Sequence, residues 1–186
     1  MNHEIKFCEV PFFKLKFEHH LTVKPILLDK IEKSTSLKLN KDEHCISDFY
    51  KKENNIITFN NFQTDTRDYA NYITPFLRIC LENVFKQYNI NQIEIKELWF
   101  QQYYKMNYHN WHDHILYHWV AIYYVELDDS SPKTMFKNFL GETFQPDIKE
   151  GDIVIFPGFL KHKSPTNKTN SRKTVVTCNI EEIYND

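Results

Sequence analysis

Residues 97–127 read ELWFQQYYKMNYHNWHDHILYHWVAIYYVEL, and this stretch decides the fold. Aromatic and β-branched residues fill both of its ends, which is typical of β-strands. Between the ends, histidines cluster within ten residues: His109, His112, His114 and His118. The stretch therefore predicts strands on either side of a histidine cluster.

Similar runs recur through the second half of the chain. From Ile93 onward, short segments rich in aromatic and β-branched residues alternate with turn signals: IEIKELWFQQYYK, HWVAIYYVEL, TMFKNFL, DIVIFP and KTVVTCNI. Several strands of this length and spacing predict a sandwich or jelly roll, with earlier helices laid against one face.

The first half has a mixed character. Residues 5–17 alternate in part and predict a strand broken at Pro11, and residues 24–33 predict a short helix. Apolar residues at spacings of three and four then predict an amphipathic helix: Tyr69, Ile73, Phe76, Leu77, Cys80, Leu81 and Val84. Pro75 either kinks this helix or marks its start, with Thr74 as the cap.

The length of 186 residues predicts one domain. We expect an α+β fold that is mainly β. In this fold, residues 1–90 form a supporting region of helices and strands, and residues 91–186 form the β-core that carries the metal site described below.

Composition argues against several classes of function. The formal net charge of −2 provides no basic field, so no nucleic-acid partner is expected. Neither a run of about 18 apolar residues nor a signal-peptide pattern is present, which predicts a cytoplasmic protein without a membrane partner. Three glycines exclude a glycine-rich phosphate loop. The four cysteines are far apart and predict buried free thiols.

The histidines form the pattern with the clearest chemical meaning. In an extended strand, His112 and His114 point to one face, so the pair can chelate one ion. His162 ends the run GDIVIFPGFLKH and is expected just past a strand end. Imidazole suits Zn, Cu, Fe and Ni alike, and the zinc motif H-E-x-x-H is absent.

Arg172 follows His162 by ten residues and opens a predicted strand. A guanidinium binds a carboxylate through two parallel hydrogen bonds, which would hold a dicarboxylate beside a metal. Thr174, two residues further on, is expected on the same face, where its hydroxyl adds a third bond. The alternative is a strand-edge arginine in solvent.

Three segments together resemble the 2-oxoglutarate and Fe(II)-dependent oxygenase superfamily, in particular small phage and bacterial members related to prolyl hydroxylases. The segments are the W-H-x-H motif within residues 97–127, the run GDIVIFPGFLKHKSPTN and the strand SRKTVVTCNI. The resemblance covers residues 97–180. It implies a double-stranded β-helix, a distorted jelly roll with the metal at its open end.

The resemblance also implies roles for individual residues. His112 and His162 would be iron ligands, Arg172 would bind 2-oxoglutarate, Thr174 would assist it, and Tyr103 would donate a further hydrogen bond. The cofactors would be Fe(II), 2-oxoglutarate and O2. Further residues are expected to line the pocket, although at least half of the aromatic ones are expected to serve the core: Gln101, Trp99, Trp111, Tyr117 and Trp119.

The sequence departs from the family at the third ligand. The usual motif is H-x-D or H-x-E, whereas here His114 stands at that position and Asp113 is one residue out of register. We expect His114 to take the place of the carboxylate, or water to fill it. Asp113 would reach the metal only through a bulge. Met106 also stands where relatives often carry glycine, so the turn there should differ.

The implied activity is a dioxygenase that hydroxylates or otherwise oxidises an unactivated C–H bond of an amino-acid, peptidyl or small-molecule substrate. Two other readings remain open. One is a cupin-like metal-binding protein or lyase with a three-histidine site and no 2-oxoglutarate. The other is a non-catalytic interaction module on the same barrel.

Overall fold

The computed structural model describes residues 10–38, 43–53, 56–59 and 67–184. The helices and strands within these residues follow the chain in this order: β1 (Phe13–Lys16), α1 (His20–Glu32), β2 (Leu37–Lys38), β3 (Glu43–His44), β4 (Ile46–Ser47), β5 (Tyr50–Glu53), β6 (Ile56–Phe59), α2 (Asp68–Lys86), β7 (Ile93–Tyr103), β8 (Tyr108–His112), β9 (Trp119–Glu126), β10 (Met135–Lys137), β11 (Thr143–Phe144), β12 (Asp152–Pro157), β13 (Lys161–Ser164) and β14 (Lys173–Glu182).

The strands form antiparallel sheets. A seven-stranded sheet has the order β1-β12-β9-β14-β7-β4-β2, a five-stranded sheet has the order β11-β10-β13-β8-β3, and β5 pairs with β6 alone. Because β14 lies between β9 and β7, the longest strands form the centre of the larger sheet. The prediction of a mainly β chain with two helices is confirmed.

Both helices pack against one face of the seven-stranded sheet. The buried stripe of α1 consists of Val23, Leu27 and Ile31, and that of α2 contains residues four positions apart: Tyr69, Ile73, Leu77, Leu81 and Phe85. These stripes form one core cluster with Val176 and Cys178 of β14 and with apolar residues of the neighbouring strands. Burial of each large apolar side chain contributes about 1.5–3 kcal/mol, so this layer holds the helices in place.

A second core cluster lies on the opposite face of the same sheet. Val175 of β14 packs there with Tyr124 of β9 and with Phe136 of β10 in the five-stranded sheet. Successive residues of β14 therefore alternate between the helix layer and the space between the sheets. This alternation decides which side chains reach the site.

One helix boundary differs from the sequence prediction, and one alternative at the other helix is decided. Helix α1 begins at His20, earlier than predicted, and its N-cap residue His19 makes no side-chain capping bond, so the sequence carries no start signal there. Pro75 lies inside α2, which begins at Asp68. Thr74 is therefore not its cap.

The N-terminal strand and the cysteines fall partly outside the described residues. Strand β1 occupies Phe13–Lys16 of the predicted stretch, of which residues 5–9 are not described. Cys178 is a buried free thiol and Cys80 is a half-buried one, and Cys45 is buried as well. Cys8 lies outside the described residues.

Among the described helices, neither combines the length and the apolar character that a membrane crossing requires.

Candidate metal centre

Three histidines from two separate stretches converge on one point. One ring nitrogen each of His112, His114 and His162 lies within 4.8 Å of the others. The ring centroids are 4.2 Å apart for His112 and His162, and 5.2 Å apart for His114 and His162. The geometry therefore brings together the three residues that the sequence proposed as metal ligands.

Strand pairing positions two of these rings. His112 ends β8, and its register partner across the antiparallel pair is His162 of β13. Directly opposed residues of such a pair have Cβ atoms about 4.5–5.5 Å apart, which suits a shared ion. His162 was predicted just past a strand end. It instead lies within β13, a short strand that the sequence analysis did not identify.

A tight turn positions the third ring. The backbone N–H of His114 donates to the carbonyl of Gly158 at 2.7 Å, and the N–H of Gly158 donates to the carbonyl of His118 at 2.9 Å. A Cβ at position 158 would lie 2.1 Å from the Tyr117 carbonyl oxygen and 2.5 Å from that of His114. Glycine is therefore required there, because any other residue would push the His114 turn away.

The hydrogen bonds of His112 and His162 fix their protonation. The Nδ1 atom of His112 is 2.8 Å from the carbonyl oxygen of Asn110, and Nδ1 of His162 is 3.1 Å from that of Leu160. A carbonyl oxygen only accepts, so each Nδ1 carries the proton. Each Nε2 therefore has a free lone pair, as a metal ligand needs.

His114 has the same arrangement with a side-chain acceptor. Its Nδ1 donates to Oδ1 of Asn179 at 2.7 Å. Its Nε2 is buried and has no hydrogen-bond partner in the structure. A buried polar atom without a partner is unfavourable, and a cation at the centre of the three rings would satisfy it. The donor set therefore fits a divalent first-row metal ion.

Burial keeps the three imidazoles neutral. Desolvation lowers the pKa of His114 to about 4, lowers that of His112, and lowers that of His162 well below its ordinary range. Neutral imidazoles are the form that binds a metal. The three ligands together carry no charge.

Asp113 does not join the group. Its side chain lines the outer cleft, and its Oδ2 lies 3.9 Å from Nζ of Lys161. The bulge that would bring Asp113 to the metal is therefore not formed, and His114 occupies the third position. Among the residues that the structure describes, the ligand group contains no carboxylate.

A fourth histidine lies beside the group. The ring of His109 stacks on His112 with centroids 3.7 Å apart, and its Nδ1 is 3.2 Å from Nε2 of Gln101. Since the amide nitrogen donates, Nδ1 accepts and the proton of His109 is on Nε2. The lone pair of Nδ1 is therefore taken by Gln101 and is not offered to a metal.

A narrow inner cavity of about 20 Å³ extends from the histidines between the sheets. Lys173 of β14 lines it and is 1% exposed. Its Nζ donates to Oγ of Ser164 at 3.0 Å and to the carbonyl of Pro132 at 3.3 Å. Among the described residues, no carboxylate forms an ion pair with this ammonium group. Burial lowers the pKa of Lys173 to about 7.

Arg172 and Thr174 lie on the other side of the sheet, contrary to the prediction. The Nε atom of Arg172 donates to Glu126 at 2.8 Å, and its guanidinium also pairs with Glu32 of α1. The hydroxyl of Thr174 donates to the same Glu126 at 2.5 Å. A shift of one residue along a strand moves a side chain to the opposite face, so Lys173 takes the cavity position expected for Arg172.

The other proposed pocket residues divide between the cavity and the core. Tyr103 and Gln101 of β7 line the inner cavity, as does Trp99, whose ring stacks on His114 with centroids 5.7 Å apart. Tyr117 lines the outer cleft. Trp119 belongs to the helix-side core and does not line the site.

Trp111 lies on the outer side of the five-stranded sheet. The Nζ atoms of Lys137 and Lys163 are 4.6 and 4.8 Å from its ring centroid. This arrangement on neighbouring strands is a cation–π contact. Trp111 therefore takes no part in the site.

A wider cleft of about 470 Å³ opens outside the histidines. Its walls combine aromatic and apolar side chains with two carboxylates: Phe49, Tyr50, Trp99, Ile115, Leu116, Tyr117, Glu97 and Asp113. Ile115 and Leu116 are largely exposed at its edge. The inner cavity and this cleft meet at the histidine group.

Sequence reasoning missed three residues that shape the site. Lys173 and Asn179 lie on the cavity side of β14, and Glu97 is the register partner of Asn179 on β7. The alternation of β14 would have identified Lys173 if its facing had been known. Because β14 is buried on both faces, its sequence shows no polar alternation to reveal that facing.

The turn at Met106 has a conformation that glycine adopts freely. Its φ is +69°, in the left-handed region, and its N–H donates to the carbonyl of Asn167 at 2.7 Å. The turn was expected to differ because the residue is not glycine. The backbone of Met106 has the left-handed conformation, which is unusual for a side chain of this size, and the predicted difference from relatives stays a prediction.

No protein-family model matches the sequence, and no curated protein matches it either. Solved structures, in contrast, share its fold over nearly the whole chain. These structures include prolyl hydroxylases and a member of the 2OG-Fe(II) oxygenase family.

Particular structures give the extent of this likeness. A prolyl-4-hydroxylase from Pseudomonas putida has 9% identity and a TM-score of 0.62, covering 93% of this chain and 94% of that one. The viral collagen prolyl hydroxylase of Paramecium Bursaria Chlorella virus-1, solved as a 2OG complex, has 13% identity and a TM-score of 0.58, covering 92% and 96%. The epimerase SnoN, in complex with Fe3+, alpha ketoglutarate and nogalamycin RO, has 7% identity and a TM-score of 0.67, covering 93% and 79%. At these identities the likeness establishes the fold.

Proposed function

We propose that this chain is a 2-oxoglutarate- and Fe(II)-dependent oxygenase built on a double-stranded β-helix. One observation carries the proposal: a group of three neutral histidines and Lys173, a buried lysine that no carboxylate of the described residues pairs with, line the same cavity. The first supplies a metal site and the second supplies a cation for the far end of a dicarboxylate. The fold shared with 2OG-Fe(II) oxygenases supports the assignment.

His112, His114 and His162 would hold the metal through their Nε2 atoms. When bound, Fe(II) and 2-oxoglutarate supply the oxidative chemistry by which O2 converts 2-oxoglutarate to succinate and carbon dioxide and a substrate C–H bond is oxidised. The chain itself contributes ligation, orientation and exclusion of water. The hydrogen bonds from Nδ1 of His112 and of His162 to backbone carbonyls already hold these two rings in place before a metal binds.

Lys173 would bind the far carboxylate of 2-oxoglutarate. An ammonium buried without a counter-ion is unfavourable, and an incoming carboxylate would relieve that penalty while forming a charge-assisted hydrogen bond. Ser164 already contacts Nζ and would help to orient it. The hydroxyl of Thr177 is buried in the same cavity without a hydrogen-bond partner in the structure, and Tyr103 lines it as well. These groups would bond the rest of the dicarboxylate once the side chains lining the cavity move apart, since its present 20 Å³ holds about one water molecule.

The outer cleft would receive the substrate. Its aromatic walls suit a side chain or a small molecule that places one C–H bond near the histidines, and its open mouth admits a larger body. Among the similar structures is a prolyl hydroxylase from Trichoplax adhaerens in complex with a hypoxia inducible factor peptide fragment. We therefore propose an amino-acid, peptidyl or small-molecule substrate.

A second candidate function rests on the neutral ligand set. Three histidines without a carboxylate also suit a cupin-like metal protein or lyase that does not use 2-oxoglutarate. The two candidates differ in what Lys173 does. In the cupin-like case, the cavity lysine would have no dicarboxylate to bind.

Anaerobic calorimetry tests the proposal. Protein loaded with Fe(II) should bind 2-oxoglutarate with one site per chain, and addition of O2 should yield succinate. Binding of the metal without binding of 2-oxoglutarate would favour the cupin-like function. A protein that takes up no Fe(II) would instead be a non-catalytic module on the same fold.

A further inference from the structure

The ligand group contains no carboxylate among the described residues, but the carboxylate of Glu97 is connected to it through one hydrogen-bonded side chain. Glu97 of β7 and Asn179 of β14 are register partners, and Nδ2 of Asn179 donates to Oε2 of Glu97 at 2.5 Å. Oδ1 of Asn179 accepts from Nδ1 of His114 at 2.7 Å. A continuous chain of hydrogen bonds therefore runs from the carboxylate through the amide to the imidazole.

The direction of this chain is fixed at its carboxylate end. An ionised carboxylate only accepts, so it must face the amide nitrogen of Asn179 and not the amide oxygen. The amide oxygen must then face His114, and it also only accepts. The proton of His114 is thereby placed on Nδ1, and the lone pair of Nε2 is directed into the ligand group.

The surrounding residues hold Asn179 and His114, which take part in this series of hydrogen bonds, in place. Asn179 is 1% exposed, and the pairing of β14 with β7 shifts register directly after it, as in a β-bulge. Bulges redirect side chains near functional sites. The ring of Trp99 stacks on His114 at an interplanar angle of 14°. His114 is therefore held by a stacked ring on its face and by Asn179 at its edge.

We propose that Glu97 and Asn179 are positioning residues that select the proton and the orientation of His114, and so make it the third metal ligand where a carboxylate is usual. The inference rests on the proposed function only in requiring that the histidine group binds a metal. Hydrogen-bond partners of ligating histidines typically contribute about 10- to 100-fold to metal affinity.

Co(II) is a suitable probe because it is stable in air and reports its ligand geometry through its visible absorption spectrum. Titration of the metal-free protein gives the affinity of each variant. Asn179→Leu keeps the size of the side chain and removes both bonds, so it should weaken Co(II) binding about 10- to 100-fold and change the spectrum.

A matched pair of variants at Glu97 separates orientation from general structure. Glu97→Met removes the acceptor, leaving the Asn179 amide free to turn, and should weaken Co(II) binding about tenfold. Glu97→Gln retains an acceptor oxygen and should stay within about threefold of the wild type. Glu94→Gln, a change at a partly exposed residue of the same strand, is the control and should bind like the wild type.

Each result decides the matter. The positioning role of Glu97 and Asn179 would be overturned if both Asn179→Leu and Glu97→Met bound Co(II) with wild-type affinity. It would also be overturned if Glu97→Met and Glu97→Gln lost Co(II) affinity equally. Either result would leave the metal site itself intact. If Asn179→Leu does not fold, the pair at Glu97 decides alone. Wild-type protein that binds no Co(II) would instead remove the metal centre and, with it, the proposed function.

Discussion

The two faces of the seven-stranded sheet differ in whether their charged side chains are paired with opposite charges. On the helix side, Arg172 pairs with Glu126 and Glu32, so each charge has a partner. On the cavity side, the adjacent Lys173 is buried with neutral partners, and burial lowers its pKa to about 7. Balanced charges between a helix and a sheet stabilise a fold, whereas a buried cation without a counter-ion destabilises it unless a ligand supplies the anion.

The same contrast holds for the histidines. On the cavity side, three rings direct unprotonated nitrogens toward one point, and one of these nitrogens is buried with no hydrogen-bond partner among the described residues. The exposed His118 instead accepts a hydrogen bond from the backbone N–H of Glu182 at 3.3 Å. The cavity face is therefore arranged for a ligand, and the outer faces are arranged for the chain itself.

Removal of a ligand on the cavity face should have the largest effect. His162→Ala leaves two imidazoles and should weaken Co(II) or Fe(II) binding by more than about 100-fold, beyond what loss of a supporting hydrogen bond does. Calorimetric titration of the metal-free variant measures this loss. His118→Ala is the control and should retain wild-type affinity. Undiminished binding by His162→Ala would show that the three rings do not share an ion.

Substitution of the two neighbouring basic residues tests the contrast directly. Lys173→Met should weaken 2-oxoglutarate binding to the metal-loaded protein about 10- to 100-fold, since a charge-assisted hydrogen bond is lost. The same variant should raise the stability of the free protein by on the order of 1–3 kcal/mol, because it replaces a buried unpaired cation by an apolar side chain.

Arg172→Met should have the reverse pattern. It should leave 2-oxoglutarate affinity within about threefold and lower the free energy of unfolding by about 1–3 kcal/mol, since Glu126 loses its charged donor. Calorimetry and urea unfolding measure the two quantities. If Arg172→Met abolishes 2-oxoglutarate binding while Lys173→Met does not, the assignment of the two faces is reversed.

The stability of the free protein should depend on pH because Lys173 is buried. An unfolded lysine holds its proton up to about pH 10.5, whereas in the folded protein burial lowers the pKa to about 7. Between these values the unfolded chain binds more protons, so Lys173 makes the free protein more stable as pH rises from about 7 to 10.5.

The affinity for 2-oxoglutarate should change in the opposite direction. Binding requires the cationic form, so it should weaken by up to about tenfold per pH unit above neutrality. Calorimetry of the Co(II)-loaded protein between about pH 6.5 and 8.5 measures the slope, around a folded pKa of about 7. Lys173→Met should abolish it. A slope that persists in this variant would assign the titration to another group.

Sequence reasoning succeeded where the signal lies in residue type and order. The spacing of His112, His114 and His162 predicted a group that the structure brings together, and the strand-rich second half predicted the mainly β fold. Sequence reasoning failed where the role of a residue depends on which face of the sheet its side chain occupies. Residues on both sides of β14 are buried, so no polar alternation distinguishes Arg172 from Lys173.

Other features lay beyond the sequence because they depend on distant pairing. Strand β13 is four residues long and is recognisable only by its partners in the five-stranded sheet. Glu97 and Asn179 meet across β7 and β14, 82 residues apart in the chain. A hydrogen-bond relay between such positions leaves no local pattern.

The smallest effect is expected on the outer face of the five-stranded sheet. Trp111 is adjacent in sequence to His112, yet its ring contacts Lys137 and Lys163 on the side away from the cavity. Trp111→Leu should lower the free energy of unfolding by about 0.5–1 kcal/mol, the value of an exposed cation–π contact. Because alternate residues of a strand face opposite sides, His112 should keep its position, and Co(II) affinity should stay within about twofold. Urea unfolding and metal titration of the same preparation measure both quantities. A large loss of metal affinity would mean that the two sides of β8 are coupled, and the separation of a ligand-binding face from a structural face would then not hold for this sheet.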